Sequence, residues 1–377
     1  MLSTEPMDQV FAVLKLYNLK MRKGLYIFLL TLILLSGCKK ENLIDGNPKA
    51  VNTNFTLVPA EFGSITTRAG VAVDENNVIN LWILQFDGTT DASILVRSEY
   101  KASIGNLAEL QIVLNQGVNH RVLFIANTFD SALFNEANAP LNTFTYLQFK
   151  QKTFPLSDES GMFTGGATKY LKMYGIYEGV VPNKNSSVIL YRIGARVNLT
   201  YTSEDVSSVP DGTRFRITSV QLKNVPATSS FISNPTNSVV FTPLSIIDYP
   251  ATTGSQTGSS GQAYSIGDYS GNVSYYLPEN IRGINSSVGS QHQKPVFAPE
   301  KSTWLEINGE GVSSDGRVNE FVVFKLYLGN NLTTNYNINT NTQYNISLKF
   351  KGVSLTDARL EVVRISDIEI VQEEEWI

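Results

Sequence analysis

The chain has 377 residues, more than one domain usually holds, and at 42% hydrophobic it can fill packed cores. Charged residues make up only 17%, below the ~25% of typical soluble domains, and the net charge of −4 gives no basic surface, which excludes nucleic acid as the expected partner. The single cysteine, Cys38, excludes an internal disulfide, and the two histidines, His120 and His292, leave few ways to build a metal centre or a catalytic triad.

Residues 1–20 carry no clear pattern. Met21-Arg22-Lys23 then supplies positive charge ahead of the apolar run Leu25–Leu35. That run is too short to cross ~30 Å of hydrocarbon as a helix and fits the core of a signal peptide. Residues 1–37 are therefore expected to be a signal peptide, with Met21 as its start and residues 1–20 an over-extended beginning. Leu35-Ser36-Gly37-Cys38 resembles the bacterial lipobox, in which an aliphatic and two small residues precede the cysteine that is acylated, with palmitate among its chains. Several acyl chains, at ~0.8 kcal/mol per buried CH2, hold a protein stably on a membrane. Residues 39–53 are polar, with Gly46 and Pro48, and read as a tether; Phe55-Thr56-Leu57-Val58 reads as a short strand. Ile65-Thr66-Thr67-Arg68-Ala69-Gly70 surrounds one basic residue with small ones, the kind of loop in which proteolysis is tolerated.

From there strand signals dominate. Asp74-Glu75-Asn76-Asn77 lacks the Asp-x-Asp spacing of a calcium loop and reads as a turn. Val78–Phe86 reads as a strand, and Leu110–Leu114 with Arg121–Asn127 as a hairpin around Asn115-Gln116-Gly117. Asp130-Ser131-Ala132 fits a short O-glycosylation pattern. A helical excursion is expected between Leu133 and Lys150. Ser187–Ile193 and Ala195–Tyr201 complete a first strand set, and residues 202–212 look like a boundary. A second set follows: Phe215–Leu222, Val273–Leu277, Trp304–Ile307, Glu320–Leu328, Tyr344–Phe350 and Arg359–Val371. Short strands at turn-punctuated spacing, twice over, predict an all-β chain of two β-sandwiches, over residues 69–206 and 207–377.

No enzyme is expected. The chain has no Gly-x-Ser-x-Gly elbow, His-Glu-x-x-His, P-loop or Cys-x-x-Cys, and no cofactor or metal site is assigned. Gly309-Glu310-Gly311 reads as a hairpin turn, Asp158-Glu159 as a solvated turn, and both histidines as surface residues. The segment with Val363, Ile365, Ile368 and Ile370 has two readings. One is a final strand of its own sandwich; the other is a donor strand that completes a neighbour's sheet.

Several of these stretches together resemble the fimbrillins of Bacteroidetes, the subunits of type V pili. The carriers are the lipobox at Cys38, the Arg68-Ala69 junction, Leu81-Trp82-Ile83-Leu84-Gln85-Phe86-Asp87 and Phe124-Ile125-Ala126-Asn127. Further along they are Tyr191-Arg192-Ile193-Gly194-Ala195-Arg196-Val197, Tyr276–Gly283, Tyr327-Leu328-Gly329-Asn330 and Asn341-Thr342-Gln343-Tyr344. The resemblance implies two transthyretin-like Greek-key β-sandwiches in tandem and a lipoprotein precursor at the outer membrane. It implies an arginine-specific protease cutting between Arg68 and Ala69, and departure of residues 38–68 with the strand carrying Phe55 and Leu57. A strand from another subunit, of the same or a different kind, then fills the place, and the product is a cell-surface fimbrium that adheres to a host or bacterial ligand. The competing expectation is a surface glycan-binding lipoprotein of a polysaccharide-uptake system. That reading requires an exposed aromatic platform, for which Trp304 is the available tryptophan.

Overall fold

The computed structural model of the chain describes residues 49–60, 75–165, 168–181, 186–205, 207, 212–233, 245–257, 263–331, 333–351 and 360–365. The described residues from Ala50 onward form one compact unit, and almost every regular element in it is a strand. The first ten are β1 (Ala50–Pro59), β2 (Leu81–Phe86), β3 (Leu95–Lys101), β4 (Leu110–Asn115), β5 (Gly117–Ala126), β6 (Thr153–Pro155), β7 (Phe163–Thr164), β8 (Tyr170–Leu171), β9 (Met173–Val181) and β10 (Ser186–Arg192).

Seven of these form one hydrogen-bonded sheet in the order β3-β2-β5-β9-β10-β1-β4, and the sheet is folded back on itself. β9 and β10 share only the pairs Tyr191↔Tyr174 and Arg192↔Met173, so they part at a corner. Beyond it, β4-β1-β10 faces β3-β2-β5-β9. Phe55 of β1 meets Phe124 of β5 with ring centroids 5.1 Å apart, although β9 and β10 lie between them in the sheet. In a flat sheet, at ~4.8 Å per strand, the two would stand about 14 Å apart. Gly175, just past the corner, permits the close approach: a Cβ there would fall 2.8 Å from carbons of Val188 and Leu190 and 3.0 Å from the Ile189 carbonyl.

The core between the layers holds Phe55, Leu57, Leu81, Ile83, Ile112, Phe124 and Leu190 among others. A second core covers the outer face of β2 and β5, where Trp82, Leu84 and Phe86 pack against Phe134, Tyr146 and Phe149. β2 is thus buried on both sides, which explains an apolar run broken only by Gln85. The expected helix is a six-residue segment, Tyr146–Gln151, started by a capping box between Thr145 and Gln148.

The hairpin expected of β4 and β5 does not form. β4 pairs with β1, and β5 pairs with β2 and β9, so the chain crosses from one layer to the other at Gln116. The alternation of Leu110, Ile112 and Leu114 suits either pairing, and only the identity of the partner strand decides. Gln85 of β2 secures the crossing. Its amide nitrogen donates to the Asn115 carbonyl at 2.7 Å, and its amide oxygen accepts from the Asn115 N–H at 2.8 Å.

The second half supplies β11 (Gly194–Ser203), β12 (Thr213–Lys223), β13 (Val225–Pro226), β14 (Thr228–Ser230), β15 (Ile246–Ile247), β16 (Ser255–Thr257), β17 (Ala263–Ile266), β18 (Ser270–Pro278), β19 (Trp304–Ser313), β20 (Val318–Tyr327), β21 (Gln343–Phe350) and β22 (Leu360–Ile365). A six-stranded sheet, β16-β17-β18-β11-β21-β22, packs on the three-stranded β12-β19-β20. Phe215 of β12 and Phe350 of β21 meet across this core at 4.7 Å. β11, grouped by sequence with the first strand set, pairs instead with β18 and β21. Gly309-Glu310-Gly311 is no turn but the interior of β19. Gly309 lies under the Phe215 ring, where a Cβ would come within 2.4 Å, and Glu310 forms an ion pair with Arg216. The halves are joined by more than the chain: β6 pairs with β14, and Phe231 and Ile232 complete the core around Phe134.

Replacing Gly175 by valine is expected to push the two layers apart at the corner and to cost about 1–3 kcal/mol, read as a lowered urea midpoint at unchanged m-value.

Candidate functional site

The candidate site is the slot that β1 occupies. The sequence pattern suggests a short strand starting at Phe55, with a tether up to Thr53. The strand instead runs ten residues, because exposed Asn52 and Asn54 alternate with inward residues and only look like a polar linker. Its first half pairs antiparallel with β4, from Ala50↔Asn115 to Phe55↔Leu110. Its second half pairs in parallel with β10, from Phe55↔Ser186 to Pro59↔Leu190. The inward row is Val51, Thr53, Phe55 and Leu57, with the last two 1% and 2% exposed. Phe55 is held edge-on by Phe124 and Tyr177, each at 5.1 Å. β4 stands at the end of its sheet, and among the described residues β1 is its sole strand partner.

Past Phe55 the pairing with β4 ends. The Leu57 N–H donates to the Leu107 carbonyl at 2.8 Å, and the Thr56 hydroxyl donates to the Ala108 carbonyl at 2.8 Å. A shallow pocket of about 520 Å³ opens beside this end, lined by Leu57, Pro59, Val78, Ile104 and Leu107.

The mouth of the slot is organised by Arg192. In β10 the inward positions are Val188, Leu190 and Arg192, so strand alternation itself turns this guanidinium into the protein. It is 2% exposed. Its Nη1 donates to the Ala60 carbonyl at 2.6 Å and to the Asn341 side-chain oxygen at 3.1 Å. Its Nε donates to the Glu75 carbonyl at 3.1 Å, and its Nη2 to the Asn76 side-chain oxygen at 2.5 Å. Burial lowers its pKa from the ordinary value, and the Glu75 charge acts in the opposite direction. Glu75 itself pairs with Arg196 at 3.1 Å and accepts from the Tyr276 hydroxyl. Burial, with Glu75 beside it, pushes that hydroxyl well above its usual pKa, so it stays protonated as a donor. Ala60 directly follows β1 and Glu75 begins the next described stretch. One buried side chain therefore holds both ends of residues 61–74.

Of the site residues expected from the sequence, Phe55 and Leu57 come together in the slot. Cys38, Arg68, Ala69, Ile368 and Ile370 lie outside the described residues. Val363 and Ile365 fall in β22, which pairs with β21 at the edge of its own sheet, opposite Ser347 and Asn345. Other expectations are corrected. His120 is buried, not on the surface, because its ring packs against Gly117 and its Nδ1 lies 2.9 Å from the Phe86 carbonyl. Glu159 is 5% exposed, not solvated, and accepts from the Tyr276 N–H at 3.4 Å. Glu75 and Asn76 belong to the Arg192 network, not to a free turn. Trp304, the aromatic-platform candidate, is 8% exposed and stacks on Tyr327 at 5.9 Å. Trp82 is 3% exposed, its indole N–H donating to the Asp130 carbonyl at 2.8 Å. Among the described residues no three His, Cys, Asp or Glu side chains cluster to hold a metal.

The nearly all-β architecture matches the folds of fimbrial proteins. The C-terminally truncated tip fimbrial protein Mfa3 of Porphyromonas gingivalis superposes with a TM-score of 0.50 at 14% identity, covering 84% of this chain and 99% of that one. A cell-adhesion candidate from Bacteroides eggerthii gives 0.52 at 13% identity, covering 85% and 97%. At such identities the likeness is one of fold. Residues 275–348 match a domain of unknown function, DUF4906. No curated protein matches. The structural neighbours of the chain are Bacteroidetes fimbrial and cell-adhesion proteins, in agreement with the fimbrillin resemblance carried by its sequence.

Replacing Arg192 by methionine removes four side-chain hydrogen bonds at once. Because bonds to a buried charged group are worth ~1.5–3 kcal/mol each but are not additive, a loss of about 2–4 kcal/mol is expected in chemical denaturation.

Proposed function

We propose that the chain is a structural subunit, stalk or tip, of an adhesive cell-surface pilus, in which β1 is a temporary occupant of a slot later filled by a strand of another subunit. The observation that carries this reading is the position of β1. It is an interior strand of its sheet, yet it connects to the rest of the described fold only through residues 61–74, which contain Arg68. Cutting after Arg68 would free it without breaking another covalent bond. Removal would leave β4 without a partner strand among the described residues and expose one edge of β10 beside Phe124 and Tyr177. A strand edge next to an open apolar core recruits another strand.

The sequence of events is the one that the fimbrillin resemblance implies. The precursor is exported as a lipoprotein acylated at Cys38 and sits at the outer membrane. An arginine-specific protease separates Arg68 from Ala69, and residues 38–68 leave with the lipid. The body, from residue 69 on, corresponds to two transthyretin-like sandwiches, the second beginning with β11. The donor is the C-terminal segment of a neighbouring subunit, with Val363, Ile365, Ile368 and Ile370 as its apolar row. Among the described residues β22 is held by one neighbouring strand alone, so its release breaks a single ladder of strand pairs.

Protein recovered from the cell surface is expected to begin at Ala69. An acylated Cys38 as its sole N-terminus would overturn the reading. Arg68→Ala should leave lipidated monomers and abolish any heat-sensitive high-mass ladder on a denaturing gel. Deleting residues 366–377, which removes Ile368 and Ile370 of the donor row, should block incorporation into polymer while the monomer remains soluble; unimpaired polymerisation would move the donor elsewhere in the chain.

A further inference from the structure

We propose that Thr53 is a built-in misfit in β1, and that the slot between β4 and β10 favours an incoming extended segment carrying an aliphatic, β-branched residue at that seat. The inference deepens the removable-strand reading and rests on it. Of the four inward residues of β1, Val51, Phe55 and Leu57 belong to or pack on the hydrocarbon core. Thr53 faces the same way, opposite Ile112 of β4, and is 2% exposed. Its hydroxyl finds no hydrogen-bond partner among the described residues.

The seat is not a polar niche. The core cluster in which β1 takes part is formed by Leu, Ile, Val, Phe, Met and Ala side chains, with Tyr177 at its margin. The buried polar groups that border the slot are satisfied elsewhere: Gln85 by the backbone of Asn115, and Arg192 by Ala60, Glu75, Asn76 and Asn341. A hydroxyl stripped of water without a partner costs more than a methyl group of the same shape in the same place. Valine is that shape.

A strand attached to its slot does not need the best fit, because the linker keeps it at high effective concentration. Once the linker is cut that advantage is gone, and at equal concentration the fit decides between competitors. A segment that matches β1 at the other inward seats and carries an aliphatic side chain at the Thr53 seat then replaces β1 downhill. In the C-terminal segment of a second copy Val363 and Ile365 stand two residues apart, as do Ile368 and Ile370, so either pair can place a β-branched aliphatic side chain at the Thr53 seat with an apolar neighbour beside it.

The test separates the misfit from the exchange. In the full chain carrying Arg68→Ala, Thr53→Val should raise the urea midpoint and Thr53→Ser should lower it. A stability of Thr53→Val equal to or below that of the parent overturns the proposal, since the hydroxyl would then have a partner. In the cleavable chain cut by an arginine-specific protease, Thr53→Val should slow release of the N-terminal fragment about tenfold. Synthetic peptides spanning residues 50–59 give the same comparison directly. The peptide with Thr53→Val should compete about tenfold better than the natural peptide for the slot of the cut protein; equal competition overturns the proposed preference. If Thr53→Val stabilises the uncut chain but the cut wild-type protein never releases its fragment or forms polymer, the misfit stands and the removable-strand reading falls.

Discussion

Among the described residues β4 has a single strand to bond to, and that strand is the first in the described chain. Leu110, Ile112 and Leu114 turn one face of β4 to the core, but the backbone groups on its inner edge are met by Ala50–Phe55 and by no other described strand. Buried backbone groups left unpaired are costly, so β4, the crossing at Gln116 and the closed shape of the first sandwich all depend on that edge being occupied. The requirement is for a strand that pairs along this edge. Most of what the slot asks of its occupant is main-chain pairing and an alternating apolar row, and both are portable between sequences.

The mouth of the slot depends on both halves of the molecule. Arg192 stands at the last position of β10 and reaches Asn341, which lies shortly before β21; Glu75 reaches Arg196 of β11 and Tyr276 of β18. The end of β1 is therefore tied to the second sheet as well as to the first. Any change of occupant is felt at the seam between them, where Phe231 and Ile232 also complete a core of the first half.

Much of the strand content is legible in the sequence because the alternation is strong. Phe215–Leu222, Tyr344–Phe350 and the inward row of β10 are strands for the reasons the pattern gives. What the pattern does not contain is pairing. β4 and β5 are neighbours in sequence with a turn between them, and only the long-range arrival of β1 places them in different layers. The full length of β1 is hidden because its exposed asparagines mimic a linker. The Arg192 network has a visible signal, an arginine at an inward position of an apolar strand. Its partners, two carbonyls and two asparagines, have no sequence signature. Gly309 and Gly311 mislead because glycine marks turns more often than it marks room for a ring such as Phe215.

The clasp of Arg192 on both Ala60 and Glu75 changes what a cut within residues 61–74 means thermodynamically. Before it, closing the sandwich is a unimolecular event whose equilibrium is indifferent to dilution. After it, the same hydrogen bonds hold together two molecules, a short ligand and its receptor. The stability of the first sandwich then follows mass action and rises with the amount of free strand available. A receptor of this kind is stable where suitable strands are abundant and marginal where they are scarce.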